Sequence, residues 1–333
     1  MAFTYSIYGL HLRSNLPIPG LVVDESGITT DVEISLGSLH ASATDQYTRS
    51  YESPYLYENG EPYLIFRKSG DGQLFHFRYG DGTEFLVDRL GTRVSGTWPD
   101  ELNLENTVVY LVGQIAAFIL RLRGLVCLHA SAVVIDGRVL AIAGEPGAGK
   151  STTAACFAQL GYPVLSEDVS ALFETEDGFC VRAGYPRINL WPDATEWVRG
   201  TAESLPRITP TWNKRFLNLQ NENRFHSSSA LLAGIYILSP RLENESPSVI
   251  EPLNGKDALL SLLTHAHGRH IVGRDMRERE FQVLSKLVQQ VPVCRAVASN
   301  RLASLTDFCK TMLTDFQNSH ASKATTFREA QRA

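Results

Sequence analysis

The residues of this chain best suited to chemistry lie in one run, LAIAGEPGAGKSTTAA, at 140–155. Gly144, Glu145, Pro146, Gly147, Ala148, Gly149, Lys150 and Ser151 fit the pattern G-x-x-x-x-G-K-[ST] at every fixed position. Glycines let a backbone curl until successive N–H groups face one anion. A helix starting near Thr152 adds the positive end of its dipole to that field. Lys150 supplies a mobile point charge for outer phosphates, and the Ser151 hydroxyl can ligate Mg²⁺. The chemistry implied is binding of a nucleoside triphosphate by Gly144 through Thr152. A glycine-rich turn with a chance lysine is the bland reading. The apolar, strand-like Leu140–Ala143 before the run and the helix-compatible residues up to Gly161 after it argue against that reading.

Two acids follow at a fitting distance. Tyr162–Leu165 reads as a strand and ends in Ser166-Glu167-Asp168-Val169. Glu167 and Asp168 stand 17 and 18 residues beyond Lys150. A carboxylate there serves either Mg²⁺ coordination or acceptance of a hydroxyl proton during transfer. Ser, Glu and Asp also favour caps and turns, and position alone leaves both readings open. Arg187 sits in the Gly/Pro-bracketed segment GYPRINLWPD. It can face phosphate or cover an aromatic, and phosphate is the reading taken here. Lys214-Arg215 is a second candidate for anion contact, although adjacent basic residues are more often a surface pair. His265, His267 and His270 do not share a helical face, so they read as packed or solvated histidines, not as a metal site.

The elements that must position these residues can be read from pattern. Val126–Ile135 and Arg138–Ala143 are β runs separated by Asp136-Gly137, a strong hairpin signal. The strand feeding the glycine-rich loop is therefore an arm of an antiparallel hairpin, outside the usual parallel βαβ arrangement. Ala171–Phe173 and Phe179–Arg182 form a second hairpin, and a short helix ends near Gly200. Gly234–Leu238 and Val293–Val297 read as strands; Asp257–His267, Arg277–Gln290 and Leu302–Phe316 read as helices. Leu104–Arg123 is a helix by its apolar spacing, with Asn106 or Thr107 as cap and Gly124 as stop. Before it, residues 1–103 form a β-rich module, an antiparallel meander with turns at Asn59-Gly60, Ser69-Gly70, Gly80-Asp81-Gly82 and Gly91-Thr92. Its aromatics read as core. The expected organisation is thus a β module at 1–103, a catalytic domain at 104–316 and a disordered tail at 317–333.

Composition narrows the class. The 333 residues are 44% hydrophobic and 20% charged, ordinary for a globular protein of about two domains. A net charge of -5 offers no footprint for nucleic acid. The N-terminus has no basic-plus-apolar signal, and the apolar run Val108–Leu122 looks too short to span a bilayer. Five scattered cysteines without C-x-x-C spacing read as free thiols in a reducing cytoplasm. No membrane or nucleic-acid partner is expected.

The segment LHASAVVIDGRVLAIAGEPGAGKSTTAACFAQLGYPVLSEDV resembles the catalytic core of HPr kinase/phosphorylase. His129 lies 21 residues before Lys150 and Asp168 lies 18 after it, as in that family. The resemblance implies an α/β (α+β) fold: the phosphate-loop core with a mixed sheet shared with phosphoenolpyruvate carboxykinase, plus the N-terminal β module. It implies ATP and Mg²⁺ as cofactors. In the roles it carries over, Asp168 is the base for a serine hydroxyl, His129 supports it, Lys150 holds the phosphates and Ser151 ligates the metal. The resemblance is specific over Val126–Trp191 and departs from the family in places. Glu167 stands where the family carries Asp, the family's further metal-binding glutamate has no counterpart, and residues 1–103 are unlike its N-terminal domain. YSIYGLHLRSNLPIPGL, LHASAVV, GYPRINLWPD and VPVCR are closer to a branch encoded with ribosomal-peptide pathways, whose members phosphorylate the C-terminal serine of lasso-peptide precursors. The expectation is a cytoplasmic ATP-dependent serine kinase of that kind, with a serine-bearing peptide partner and a homo-oligomer as an option. The alternatives are a kinase of HPr or of a small hydroxyl compound, and a regulatory subunit that binds nucleotide without transfer.

Overall fold

The computed structural model describes residues 2–40, 46–240, 248–298 and 305–330, with side chains to residue 319. The chain divides into two compact units. The first comprises 1–127, 207–213 and 267–280; the second comprises 128–206, 214–266 and 281–333.

In the first unit, alternating sequences such as LFHFRY form an eight-stranded sheet. Its strands are β1 (Phe3–Ile7), β2 (Leu10–Ser14), β3 (Val32–Leu36), β4 (Tyr47–Glu52), β5 (Leu64–Ser69), β6 (Leu74–Tyr79), β7 (Glu84–Asp88) and β8 (Arg93–Thr97). Their order is β1-β2-β3-β8-β7-β6-β5-β4. The run β4 to β8 is the expected meander of antiparallel hairpins. The sheet as a whole is mixed, because β3 pairs in parallel with both β2 and β8. The long connections after β2 and β3 permit this, whereas two-residue turns enforce antiparallel neighbours.

The apolar helix follows as α1 (Leu104–Tyr110), a π turn at Leu111–Ile115 and α2 (Ala116–Leu122). The π turn surrounds Gly113, where the backbone is least constrained. The cap is Asn103, whose side chain accepts from the Asn106 N–H at 3.1 Å, and not Asn106 or Thr107. Leu104–Leu122 has the length and apolar composition to cross a membrane, contrary to the expectation from its interruptions, but 78% of that window is buried in the protein. The Phe118 ring meets Phe66, Phe75 and Phe77 of the sheet at 5.0–5.6 Å. Those contacts correct the boundary expected at 103: the helix is core of the β module. The later segments belong to the same unit by their bonds. Asn106 donates to Thr211 at 2.6 Å, and Arg121 pairs with Glu280 in a buried ion pair.

The chain leaves this unit through β9 (Val126–Leu128). In the second unit come β10 (Ala130–Ile135), β11 (Arg138–Gly144), α3 (Lys150–Gln159), β12 (Val164–Ser166), β13 (Ser170–Thr175), β14 (Gly178–Val181), β15 (Arg187–Leu190) and α4 (Pro192–Arg199). They are followed by β16 (Arg215–Asn218), β17 (Ala230–Leu238), β18 (Val249–Pro252), α5 (Gly255–Thr264), β19 (Val293–Val297) and α7 (Leu305–Ala330), while α6 (Arg274–Gln290) begins in the first unit and continues into the second from Phe281. The sheet order is β12-β10-β11-β17-β14-β13, with β19 beside β17 and β18 beside β19. The Asp-Gly hairpin forms, with Asp136 and Gly137 at φ of 50° and 75° and Ile135 opposite Arg138. β11 is antiparallel to β10, as expected, and parallel to β17 on its other edge. The second core gathers Val133, Ile142 and Phe157 with Phe308, Met312 and Phe316. The tail expected to be disordered from 317 continues α7 through Ala330; the start of that helix expected at Leu302 falls outside the described residues.

Candidate active site

The glycine-rich loop joins β11 to α3 in the second unit. Gly144, Gly147 and Gly149 sit at φ of 152°, 84° and 100°, conformations that side-chain-bearing residues rarely adopt. A Cβ at Gly144 would lie 3.0 Å from the Leu238 carbonyl of β17, so the loop starts where two parallel strands end together. Gly149 precedes the first turn of α3, and Lys150 and Ser151 open the helix. Lys150 is only 7% exposed. Its ammonium donates to the carbonyls of Gly144 at 2.9 Å and Glu145 at 3.1 Å. Burial pushes its pKa down, and the charges of Asp168, Glu167 and Glu145 pull it back up.

The two acids are treated differently by the fold. Glu167 is 5% exposed; Ser151 Oγ donates to its Oε1 at 2.7 Å and Asn189 Nδ2 to its Oε2 at 3.3 Å. Burial pushes the Glu167 carboxyl up to about 7, with the Asp168 charge adding to it and Ser151, Lys214 and His129 opposing. Asp168 is more exposed and takes φ of +66°. The Val169 N–H bonds back to the Glu167 carbonyl at 2.8 Å, so Asp168 is the central residue of a left-handed γ-turn, a strained conformation. Ser170 pins the turn, sharing a 3.1 Å contact with Ser166 and donating to the Ala130 carbonyl at 3.1 Å.

His129 meets this turn because of sheet register. β10 and β12 are antiparallel with Ala132 opposite Ser166. Residues just before β10 therefore lie beside residues just after β12. His129 Nε2 stands 3.2 Å from Asp168 Oδ1, and the His129 N–H is held by the His265 carbonyl at 2.8 Å. His265 Nδ1 in turn lies 4.0 Å from the Glu145 carboxylate of the glycine-rich loop.

The structure thus brings together Lys150, Ser151, Glu167, Asp168 and His129. Arg187 is different. Its guanidinium carbon lies 3.6 Å from the Phe216 ring centroid, across the β15–β16 pair. Its planar face covers an aromatic, burial lowers its pKa, and its Nε has no hydrogen-bond partner among the described residues; stacking leaves the in-plane N–H donors for an anion, so the phosphate role stays a proposal. Lys214 lies over the Trp191 ring at 4.9 Å, and its charge is felt by Lys150 and Glu167. Asn189 was not singled out from sequence. Alternation in β15 was the available signal, since Ile188 and Leu190 are buried in the core and Arg187 and Asn189 share the other face.

Among the described residues, no group of three or more His, Cys, Asp or Glu side chains could together hold a metal ion. Ser151 and the buried Glu167 carboxylate do offer adjacent hard oxygen donors. That set suits Mg²⁺, which keeps several waters and binds through one or two carboxylates plus substrate phosphates.

No protein-family model and no curated protein matches the chain. Among solved structures, the Hpr(Ser) kinase/phosphatase from Coxiella burnetii matches over 62% of this chain and 96% of its own length, at 11% identity and a TM-score of 0.36. A likeness at that level carries no argument about activity, which is read from the site alone.

Proposed function

We propose that this chain is a cytoplasmic Mg²⁺-dependent kinase that moves the γ-phosphate of ATP to a serine hydroxyl. The favoured acceptor is the C-terminal serine of a lasso-type ribosomal peptide precursor. The observation that carries the reading is the His129–Asp168 pair at 3.2 Å, set on a strained turn directly after the carboxylate that Ser151 of the glycine-rich loop engages. A protein that only binds nucleotide has no use for a histidine-held carboxylate there. The acceptor rests on the resemblance of the segments quoted above.

Asp168 accepts the proton of the serine hydroxyl as that oxygen attacks the γ-phosphorus. The new O–P bond forms while the bond to the β–γ bridging oxygen breaks, and ADP leaves with the electron pair. His129 fixes the orientation of the Asp168 carboxylate. Loop N–H groups receive phosphate oxygens, and Lys150 exchanges the carbonyls of Gly144 and Glu145 for them. Ser151 and Glu167 would hold Mg²⁺, which when bound neutralises charge on the β- and γ-phosphates.

The test uses labelled ATP, Mg²⁺ and two synthetic precursor peptides, one ending in serine and one with alanine in its place. Label should enter only the first. Asp168→Asn should slow transfer by about 10²–10⁴-fold with nucleotide affinity retained. Asn tolerates positive φ, so this variant keeps the turn. Full-rate labelling by Asp168→Asn would sink the base assignment. ATP binding without labelling of any serine peptide would favour a small hydroxyl compound, HPr or binding alone.

A further inference from the structure

The sheet of the first unit has two faces of opposite character. One carries Phe66, Phe75 and Phe77 against Phe118. On the other, register sets Arg67 opposite His76, His76 opposite Leu86, and Arg78 opposite Glu84. An outward sheet face is ordinarily solvated, yet His76 is only 8% exposed. The segment after β3 crosses here, with Ser38 bridging Gly96 and the His40 N–H donating to Ser95 Oγ at 3.1 Å. Among the described residues, Leu39, Tyr47, Arg67, His76, Glu84 and Leu86 line a cavity of about 300 Å³. That is the lower end of the range for small-ligand pockets.

The polar groups in it are ordered. Arg67 Nη1 lies 3.3 Å from His76 Nδ1, and an arginine can only donate, so Nδ1 accepts. His76 Nε2 then donates to Glu84 Oε2 at 2.6 Å. The Tyr47 ring lies against the His76 ring, centroids 5.4 Å apart. Glu84 also has Arg78 at 3.9 Å, and Arg78 has Glu61 at 3.8 Å. Arg67 has no carboxylate within ion-pair distance among the described residues. The cavity therefore holds a guanidinium in no direct ion pair among the described residues, its charge felt by Glu84, beside apolar walls from Leu39, Tyr47 and Leu86.

We infer that this cavity binds a monocarboxylate bearing a compact apolar or aromatic body, with Arg67 on the carboxylate and Tyr47 against the body. Guanidinium and carboxylate match in geometry and charge. A phosphate dianion is disfavoured, because the Glu84 carboxylate also lines the cavity and shares the charge of Arg67. The carboxylate can come from a free organic acid or from the C-terminus of a peptide, and the two can be told apart.

The experiment is titration calorimetry of the full chain with N-acetylphenylalanine, its amide, and an acetylated Gly-Gly-Gly-Phe peptide with a free or an amidated terminus. The acid should bind and the amide should bind at least tenfold more weakly. Arg67→Gln should lose tenfold or more of the acid affinity, Arg67→Lys should lose less, and ATP affinity should be unchanged in both. Binding of the free-terminus peptide identifies a chain end as ligand; binding of the free acid alone identifies a small metabolite-like acid. Should Arg67→Gln fail to fold, Leu86→Trp, which fills the cavity and leaves Arg67 intact, should block the acid equally. Three results overturn the inference: no binding of acid or peptide at millimolar concentrations, equal binding of acid and amide, or undiminished binding by the variants.

Discussion

Burial pushes the Glu167 carboxyl up to about 7, with Asp168 the next cause. Its folded pKa lies above the ordinary 4.5, so the folded state holds this proton more tightly than the unfolded chain. The stability it contributes is complete below about 4.5 and is lost as pH rises to about 7. Glu167→Gln should remove that dependence and stabilise the ligand-free protein at pH 8 by on the order of 3–4 kcal/mol, at ~1.4 kcal/mol per pKa unit. Thermal melts of both proteins between pH 5 and 8 check this; parallel slopes would count against it. The same variant should transfer phosphate poorly, the familiar conflict between stability and a polar site. Lys150 belongs to the same scale. Lys150→Ala removes a buried cation from two loop carbonyls, and ATP affinity should fall about tenfold or more, read by calorimetry.

Elements set the precision of the site. The β10–β11 hairpin fixes where β11 ends and hence where the glycine-rich loop starts. Its turn needs positive φ at Asp136 and Gly137, and a Cβ at Gly137 would meet nothing within 4 Å. Gly137→Val should therefore act through backbone strain alone, costing on the order of 1–2 kcal/mol in denaturant unfolding. A neutral result would mean the turn relaxes to another type. In the β module the helix plays the corresponding part. Phe118→Ala removes a ring that three sheet phenylalanines contact, and should cost about 3–5 kcal/mol.

At the scale of the whole molecule, the first unit is discontinuous, and its last segments come from beyond residue 206. A chain begun at Leu128 retains Thr211, His270 and Glu280 without Asn106, Tyr51 and Arg121, their partners in the intact unit. Glu280 would be left as a carboxylate whose buried counter-ion is gone, a change costing several kcal/mol. Limited proteolysis should cut the truncated chain within 267–280 and spare that segment in the full chain. Equal protection of both would show that these segments do not depend on the first unit.

The local features of this protein are written in short stretches of sequence. The glycine-rich loop, the Asp136-Gly137 turn and the alternation of β6 each follow from residue type and spacing within a few positions, because glycine freedom and side-chain period act locally. His129 and Asp168 stood out by their spacing from Lys150, but their meeting depends on the register of Ala132 with Ser166, which no local pattern contains. The parallel partner of β11 is likewise a strand about ninety residues away, reached only once the sheet assembles. Arg187 stacks on Phe216 because β16 brings that ring across from β15, a contact that the local sequence does not contain. The boundary at 103 failed for the same reason: which unit a helix joins is decided by the side chains it finds to bury against, and those of Phe118 lie on β5 and β6. Sequence by itself determined the loop and the kinds of residue around it; long-range pairing and burial decided which of them share a site and how strongly Glu167 resists its charge.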